Sequence, residues 1–492
     1  PGSAPVTISD GQDGTDAAPC TVSPAANGYL LDCPGSSPVV VQNGNDGEEG
    51  AGCTVADNND ATYTLTCDGA PPVTFSEGSV GANPSLPGSP CALQPFTLCM
   101  GQELISFFLD GYDLRGVNFS GTNLSNAVLD GADLREAVFY DADLAPTFSR
   151  GVDARDAVFW SANLSGGDWS DSRFEGATFL DASLGGTTMA RSDFTGADLR
   201  GLVDSSRTDF TEATLVDAVM TGARCDDDDF THADLSRVQW TEGRAFLATF
   251  DGAIMVDANL RDSVEHRSTS WVATDLTDAA ITGTRLDGAD FEGANLTRTD
   301  MSDNNLDNAN FRTATLVGTV FDGSFIGSAQ FTDTVMTDVS MQSVNGRLVA
   351  GGATWTRVTL SLAGSASSST LVGATLIEST LTDGSFSFLD ATGLTAPELD
   401  LSRATFSRAN FTDASLVGAV FDDGNVEGAF ANTGRTRFSN ADLRNASFAG
   451  TEINQYTSFA GADLRCADFS TAVFATPPEW SDGTFGNPTC PD

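Results

Sequence analysis

The chain has 492 residues, with 24 basic against 68 acidic side chains and a formal net charge of −44, and every basic residue is Arg. This balance excludes direct binding to DNA or to anionic membranes through a basic patch, and favours cations, basic partners or a solvated surface. No apolar run reaches the length of a membrane span, and the sequence opens on Pro1 rather than Met, from which a removed leader is expected.

Residues 1–94 carry a repeat of about 33 residues. Pro5-Val6-Thr7-Ile8-Ser9, Pro38-Val39-Val40-Val41-Gln42 and Pro72-Val73-Thr74-Phe75-Ser76 each read as a short apolar strand opening a unit. A Gly/Asp-rich turn follows, then a cysteine strand (Cys20-Thr21-Val22, Cys53-Thr54-Val55, Cys91-Ala92-Leu93), and in two units a returning strand that ends in Cys33 or Cys67. Units this small bury little core, so disulfides are the expected staple. The segment resembles the small Cys-bearing, Gly/Asp-rich β modules of bacterial surface proteins. Its strand Pro5, Val6, Thr7, Ile8, Ser9 is the candidate for donation to a second subunit.

Residues 95–108 (Phe96-Thr97-Leu98-Cys99 through Phe107-Phe108) are expected to form a short helical N-terminal cap. From Leu109 to Phe474 a large apolar residue returns every fifth position, with a small one two places earlier: Leu124, Leu129, Leu134 and Phe139 follow Thr122, Ala127, Ala132 and Ala137. Period five fits neither a helix nor a flat strand. Five residues forming one side of a square coil place the large and small residues inward and the other three in water. Ala132-Asp133-Leu134-Arg135, Ala197-Asp198-Leu199-Arg200, Ala441-Asp442-Leu443-Arg444 and Ala462-Asp463-Leu464-Arg465 carry a resemblance to the pentapeptide-repeat family, A-(D/N)-L-x-x. The resemblance implies an all-β fold, a right-handed quadrilateral β-helix over residues 109–474, with the disulfide-stapled β-hairpin modules before it. Residues 475–492 are expected to form a C-terminal cap or tail.

The period slips by one residue between Leu199 and Phe210, Leu260 and Trp271, Leu360 and Leu371, and Ile453 and Phe459, which is expected to form corner bulges. Used as a ruler, it also sorts the cysteines. Cys20 with Cys33, Cys53 with Cys67, and Cys91 with Cys99 are local pairs, and outward Cys466 is expected to meet Cys490. Cys225 keeps step with Met220 and Phe230, so it should be a buried thiol acting as a small hydrophobe. Four disulfides indicate an oxidising compartment, hence a secreted or cell-surface protein.

Chemistry is sparse. The chain has two histidines, His232 at an outward position and His266 in a register break, and Glu265-His266-Arg267 reads as a solvated bulge. No nucleophile elbow, phosphate loop or zinc-binding pair is present, so no enzyme and no catalytic residue is expected. No cofactor is expected apart from calcium, for which Asp10, Asp13, Asp226, Asp227 and Asp229 are the candidates; Asp228 should fall at an inward small-residue place. The preferred reading is an extracellular, bacterial structural protein, an acidic rod that assembles into a filament or envelope structure with itself or with other envelope components, through its N-terminal modules and solenoid ends. The alternative is a binding protein: an adhesin, or, as the family resemblance implies, a DNA-mimicking inhibitor of a topoisomerase. Outward Thr211, Thr221, Thr231 and Thr241 suggest a regular ice- or mineral-binding row.

Overall fold

The computed structural model describes strand segments between Thr21 and Ser76, Cys91, and residues 93–426 and 435–474. The described residues are all-β and fall into two units, Pro1–Val219 and Met220–Asp492.

The first unit begins with two antiparallel three-stranded sheets. One is β1 (Thr21–Ala25), β2 (Gly28–Asp32) and β3 (Val39–Gln42), and the other is β4 (Cys53–Asp57), β5 (Thr62–Cys67) and β6 (Val73–Ser76). The cysteine strand and its return form the expected hairpin, with Cys53 directly opposite Cys67. The Pro-Val strand, however, closes the preceding module: Leu31 pairs with Val39, and Leu65 with Val73. Three strands bury a face that two cannot. Cys20, Cys33, Cys490, Asp10, Asp13, the Pro5–Ser9 strand and residues 475–492 lie outside the described residues.

The expected helical cap over residues 95–108 is not formed. Leu98, Glu103 and Phe108 already bridge Asn118, Asn123 and Val128, and Cys99 and Leu104 are fully buried. The coil therefore starts before Leu109. The Phe107-Phe108 pair suggested an amphipathic helix, but Cys99 and Leu104 keep the same count of five, and stacking on the next coil satisfies backbone groups that a lone turn would leave open.

Each side of the coil is one five-residue unit, paired in parallel with the unit twenty residues on. The ladder Leu98, Asn118, Val138, Val158, Thr178, Asp198 and Val219 runs along one side, and Asp113, Asp133, Asp153 and Arg173 along another. Corners need a left-handed residue, so φ is 65° at Gly131 and 58° at Asp156. Glycine takes this conformation without the Cβ penalty that aspartate carries. Inside, identical positions stack: Phe119, Phe139, Phe159 and Phe179 have ring centroids 5.2, 4.9 and 4.8 Å apart, the spacing of neighbouring strands. Each such side chain contributes about 1.5–3 kcal/mol by burial. Buried hydroxyls at the small position bond down the stack, as Thr187 Oγ1 does to the Leu164 carbonyl at 3.0 Å.

The second unit repeats this coil, with Phe291, Phe311 and Phe331 stacked at 5.0 and 4.9 Å. Between residues 315 and 382 the isolated bridges lengthen into true strands. These are β7 (Thr315–Val317), β8 (Phe325–Gly327), β9 (Val335–Thr337), β10 (Ser340–Gly346), β11 (Thr354–Thr356), β12 (Thr359–Leu362), β13 (Thr375–Ile377) and β14 (Thr380–Thr382). β7, β9, β11 and β13 form one parallel sheet, and β8, β10, β12 and β14 another. After Met341 the register of β10 shifts, and Gly346 adopts φ 125° against the Gly327 backbone.

The register breaks do more than bulge. At each of two breaks the extra residue, Val203 or Val264, is extruded and exposed, and the residue two places on enters the core. Those core residues are Ser205 in the first unit and His266 in the second.

Candidate functional surfaces

The outward residue before each inward one is most often Asp or Asn, and its side chain is used locally. Asp193 Oδ1 accepts the amide of Thr195 at 2.9 Å and its hydroxyl at 2.6 Å. This arrangement satisfies a corner amide with a short acceptor. Where Arg follows the inward residue, the A-D-L-R motif closes a bidentate pair. Arg135 Nε and Nη2 donate to Asp133 at 2.8 and 2.6 Å, and Arg115 does the same to Asp113. The hydrogen bond from Arg115 holds the Asp113 carboxyl below the usual range. Arg135 also reaches Asp153 on the next coil at 3.7 Å, so the outer charges form mixed-sign ladders.

The calcium candidates do not converge. Asp226 Oδ1 accepts from Arg244 Nε at 2.8 Å and from the Phe246 amide at 3.0 Å, Asp229 Oδ1 caps the Thr231 amide at 2.9 Å, and Asp227 is a corner residue with φ 62°. Asp228 is buried in the inward small position. Among the described residues no group of three or more His, Cys, Asp or Glu is placed to hold a metal ion. The second unit has a shallow open depression of about 330 Å³, lined by Arg403, Asp423, Asn425 and Glu452 among others.

Glu265-His266-Arg267 is not a solvated bulge. Glu265 and Arg267 do face outward, paired at 3.1 Å, but His266 is fully buried. Its ring lies 5.7 Å from Trp240 and 6.0 Å from Trp271, and neither Nδ1 nor Nε2 has a hydrogen-bond partner. Burial pushes its pKa down to about 4. The signal was in the sequence: a count of six from Leu260 lands on His266.

Cys91 and Cys99 are joined by a disulfide, with Cα atoms 5.4 Å apart. Cys466 is also disulfide-bonded, and Cys225 is buried and in no disulfide. Trp271 and Trp355 are fully buried, so neither can offer a platform to a sugar. The threonine row does not form a single face, because ten residues is half a coil. Thr221 and Thr241 share a side, with Oγ1 atoms 3.4 Å apart, while Thr231 falls opposite them and Thr211 belongs to the other unit.

One apolar ladder is exposed in the first unit. Phe108 (67% exposed) bridges Val128, which bridges Phe148 (51%), and Ile105 sits at the adjoining corner.

Among solved structures, the chain is similar to HetL, a pentapeptide repeat protein involved in heterocyst differentiation regulation from the cyanobacterium Nostoc sp. strain PCC 7120. The identity is 22% over 48% of this chain and 90% of that one, with a TM-score of 0.22. It is also similar to QnrB1, a plasmid-mediated fluoroquinolone resistance protein, at 15% identity over 42% of this chain and 89% of that one, with a TM-score of 0.27. A pentapeptide repeat protein of the Arabidopsis thaliana thylakoid lumen is 25% identical over 23% of this chain and 67% of that one, with a TM-score of 0.11. No curated protein matches the chain. The family model for pentapeptide repeats matches in eight copies, over residues 113–145, 155–189, 172–202, 274–312 and 400–432. The five-residue period, the four-sided coil it builds and these eight matched copies show that this chain carries pentapeptide repeats.

Proposed function

We propose that this protein is a non-catalytic scaffold of an oxidising, extracellular compartment that assembles through the N-terminal end of its solenoid. The observation that carries the assembly reading is the Phe108, Val128, Phe148 ladder. Large aromatic side chains left in water on one side, in a chain of net charge −44, are the mark of a covered surface. The Cys91–Cys99 disulfide beside it supports the compartment. In sequence, Pro5-Val6 stands 33 and 67 residues before Pro38-Val39 and Pro72-Val73, whose strands each close a three-stranded sheet. It is therefore the strand proposed to close a sheet of a neighbouring copy.

The DNA-mimic reading has the right net sign, yet a mimic must offer carboxylates without counter-charges. Here Asp113, Asp133 and Asp153 each hold an Arg on their own strand. The scaffold reading is tested on the full chain by electron microscopy of three proteins: unaltered, lacking residues 1–10, and Phe108→Glu. Polymers lost in either variant support it. Polymers unchanged in both, or none in the unaltered protein at any concentration, remove it.

A further inference from the structure

The outer surface changes character across the second unit in a way that assembly does not explain. One outward column reads Asp275, Asn295, Thr315, Val335, Thr354, Thr375, then Thr395, Ser415, Asp442 and Asp463. Charge ends at Asp275 and returns only at Asp442. The column beside it, one residue past each inward side chain, is likewise uncharged from Thr297 through Val417. Across β7, β9, β11 and β13 every outward side chain is Thr, Val or Ile, and the pairs stay in register, Thr315 to Val335 to Thr354 to Thr375 and Val317 to Thr337 to Thr356 to Ile377.

Local chemistry explains the change. An outward Asp or Asn accepts the amide two residues on and tightens the corner, as Asn295 does for Thr297 at 3.2 Å. Thr and Val cannot form that bond as well and favour extended backbone, so the bridge grows into a three-residue strand. The hydroxyls of Thr315, Thr337, Thr354, Thr356 and Thr375 have no protein partner among the described residues. Their β-branched side chains are stiff at χ1, so hydroxyls and methyls are fixed in place before anything binds.

We propose that this face binds ice. Strand spacing sets its rows about 4.8 Å apart and the two outward side chains of a strand about 6.7 Å apart. That is a two-dimensional array with repeats similar to those of oxygen rows on a prism face of ice. Charge selects the occupant, because an uncharged stripe on a chain of net charge −44 suits a neutral surface and offers no carboxylate to a mineral. Area selects it as well. Seven rungs by three residues give roughly 300 Å², well below the about 800 Å² per partner that a stable dimer or a folded protein needs. A rigid periodic solid is met by a regularly spaced array of uncharged β-branched groups, and the hydroxyl of each threonine can donate and accept while its methyl shields the contact from liquid water. Charges border the face at the corner, where Arg357 is paired with Asp338 at 2.5 Å, without entering it.

The test uses the purified full chain, with thermal hysteresis and ice recrystallisation as readouts. Thr337→Lys/Thr356→Lys places two charges on adjacent rungs of the face, and Thr221→Lys/Thr241→Lys places two on a different ladder as the control. Hysteresis and faceted crystals with the unaltered and control proteins, lost to the buffer baseline in the face variant, are expected. No hysteresis in the unaltered protein, activity kept by the face variant, or equal loss in the control overturns the proposal. Should the face variant fail to fold by circular dichroism, adsorption of fluorescently labelled unaltered protein to an ice hemisphere decides: a plane-specific band supports the face, and no adsorption refutes it.

Discussion

His266→Leu should stabilise the second unit, increasingly so in acid. His266 stands where the following coils place Leu286 and Leu306, so leucine restores the column in a site already shaped for it. The wild-type ring leaves two nitrogens buried without partners, and one such group costs about 1–3 kcal/mol. The pH dependence follows from the depressed pKa of about 4, against an ordinary 6.5. Between those values the unfolded chain binds a proton that the folded chain refuses, so stability is whole above pH 6.5 and falls as pH drops toward 4. Linkage gives a loss of about 2 kcal/mol by pH 5 and about 3 kcal/mol by pH 4. Asp and Glu side chains titrate in both proteins, so the difference between the two curves isolates the histidine. The assay is urea unfolding of wild type and His266→Leu from pH 7.5 to 4.5, roughly the interval over which the histidine term develops. Parallel curves, or a less stable variant at every pH, would refute a buried, unpartnered His266.

Three further outcomes follow from the packing. Leu134→Asp, which buries an unpaired carboxylate, should lower stability by more than about 3 kcal/mol, while Arg135→Asp should cost about 1 kcal/mol or less; equal thermal shifts would contradict the inward and outward assignment. Gly243→Ala would drive a Cβ into the Trp240 indole and should shift tryptophan emission as well as lower the melting point, whereas Gly131→Ala, at φ 65° with open space around it, should cost only about 1–2 kcal/mol and leave emission unchanged. Removing the eight-residue Cys91–Cys99 link by a Cys91→Ser/Cys99→Ser change should cost about 2–3 kcal/mol on the loop-entropy estimate, seen as a lower denaturation midpoint than in the oxidised parent.

The count of five made inward and outward positions legible in the sequence, because one residue in five must meet its equivalents in the coils above and below. It placed Leu134, Trp271, Trp355 and Cys225 in the core, where the structure has them. It mis-set the start of the coil, because Phe107-Phe108 gave a helical pattern, and it misread His266, because a break was treated as a loop rather than as one extruded residue followed by renewed counting. The threonine face was hidden for a different reason. Residues that share a side lie twenty apart, so a row chosen at intervals of ten alternates between opposite sides. The paired cysteines of the N-terminal modules gave away the hairpins, but not the strand that closes each sheet, since third-strand pairing depends on contacts that local spacing does not encode.

The proposed scaffold would act through outward surfaces that join its copies, not through a cleft. Negative-stain electron microscopy of the oxidised full chain over a wide concentration range tests it most directly. Filaments or end-joined assemblies that shorten on dilution are expected, and isolated single particles at every concentration would contradict assembly.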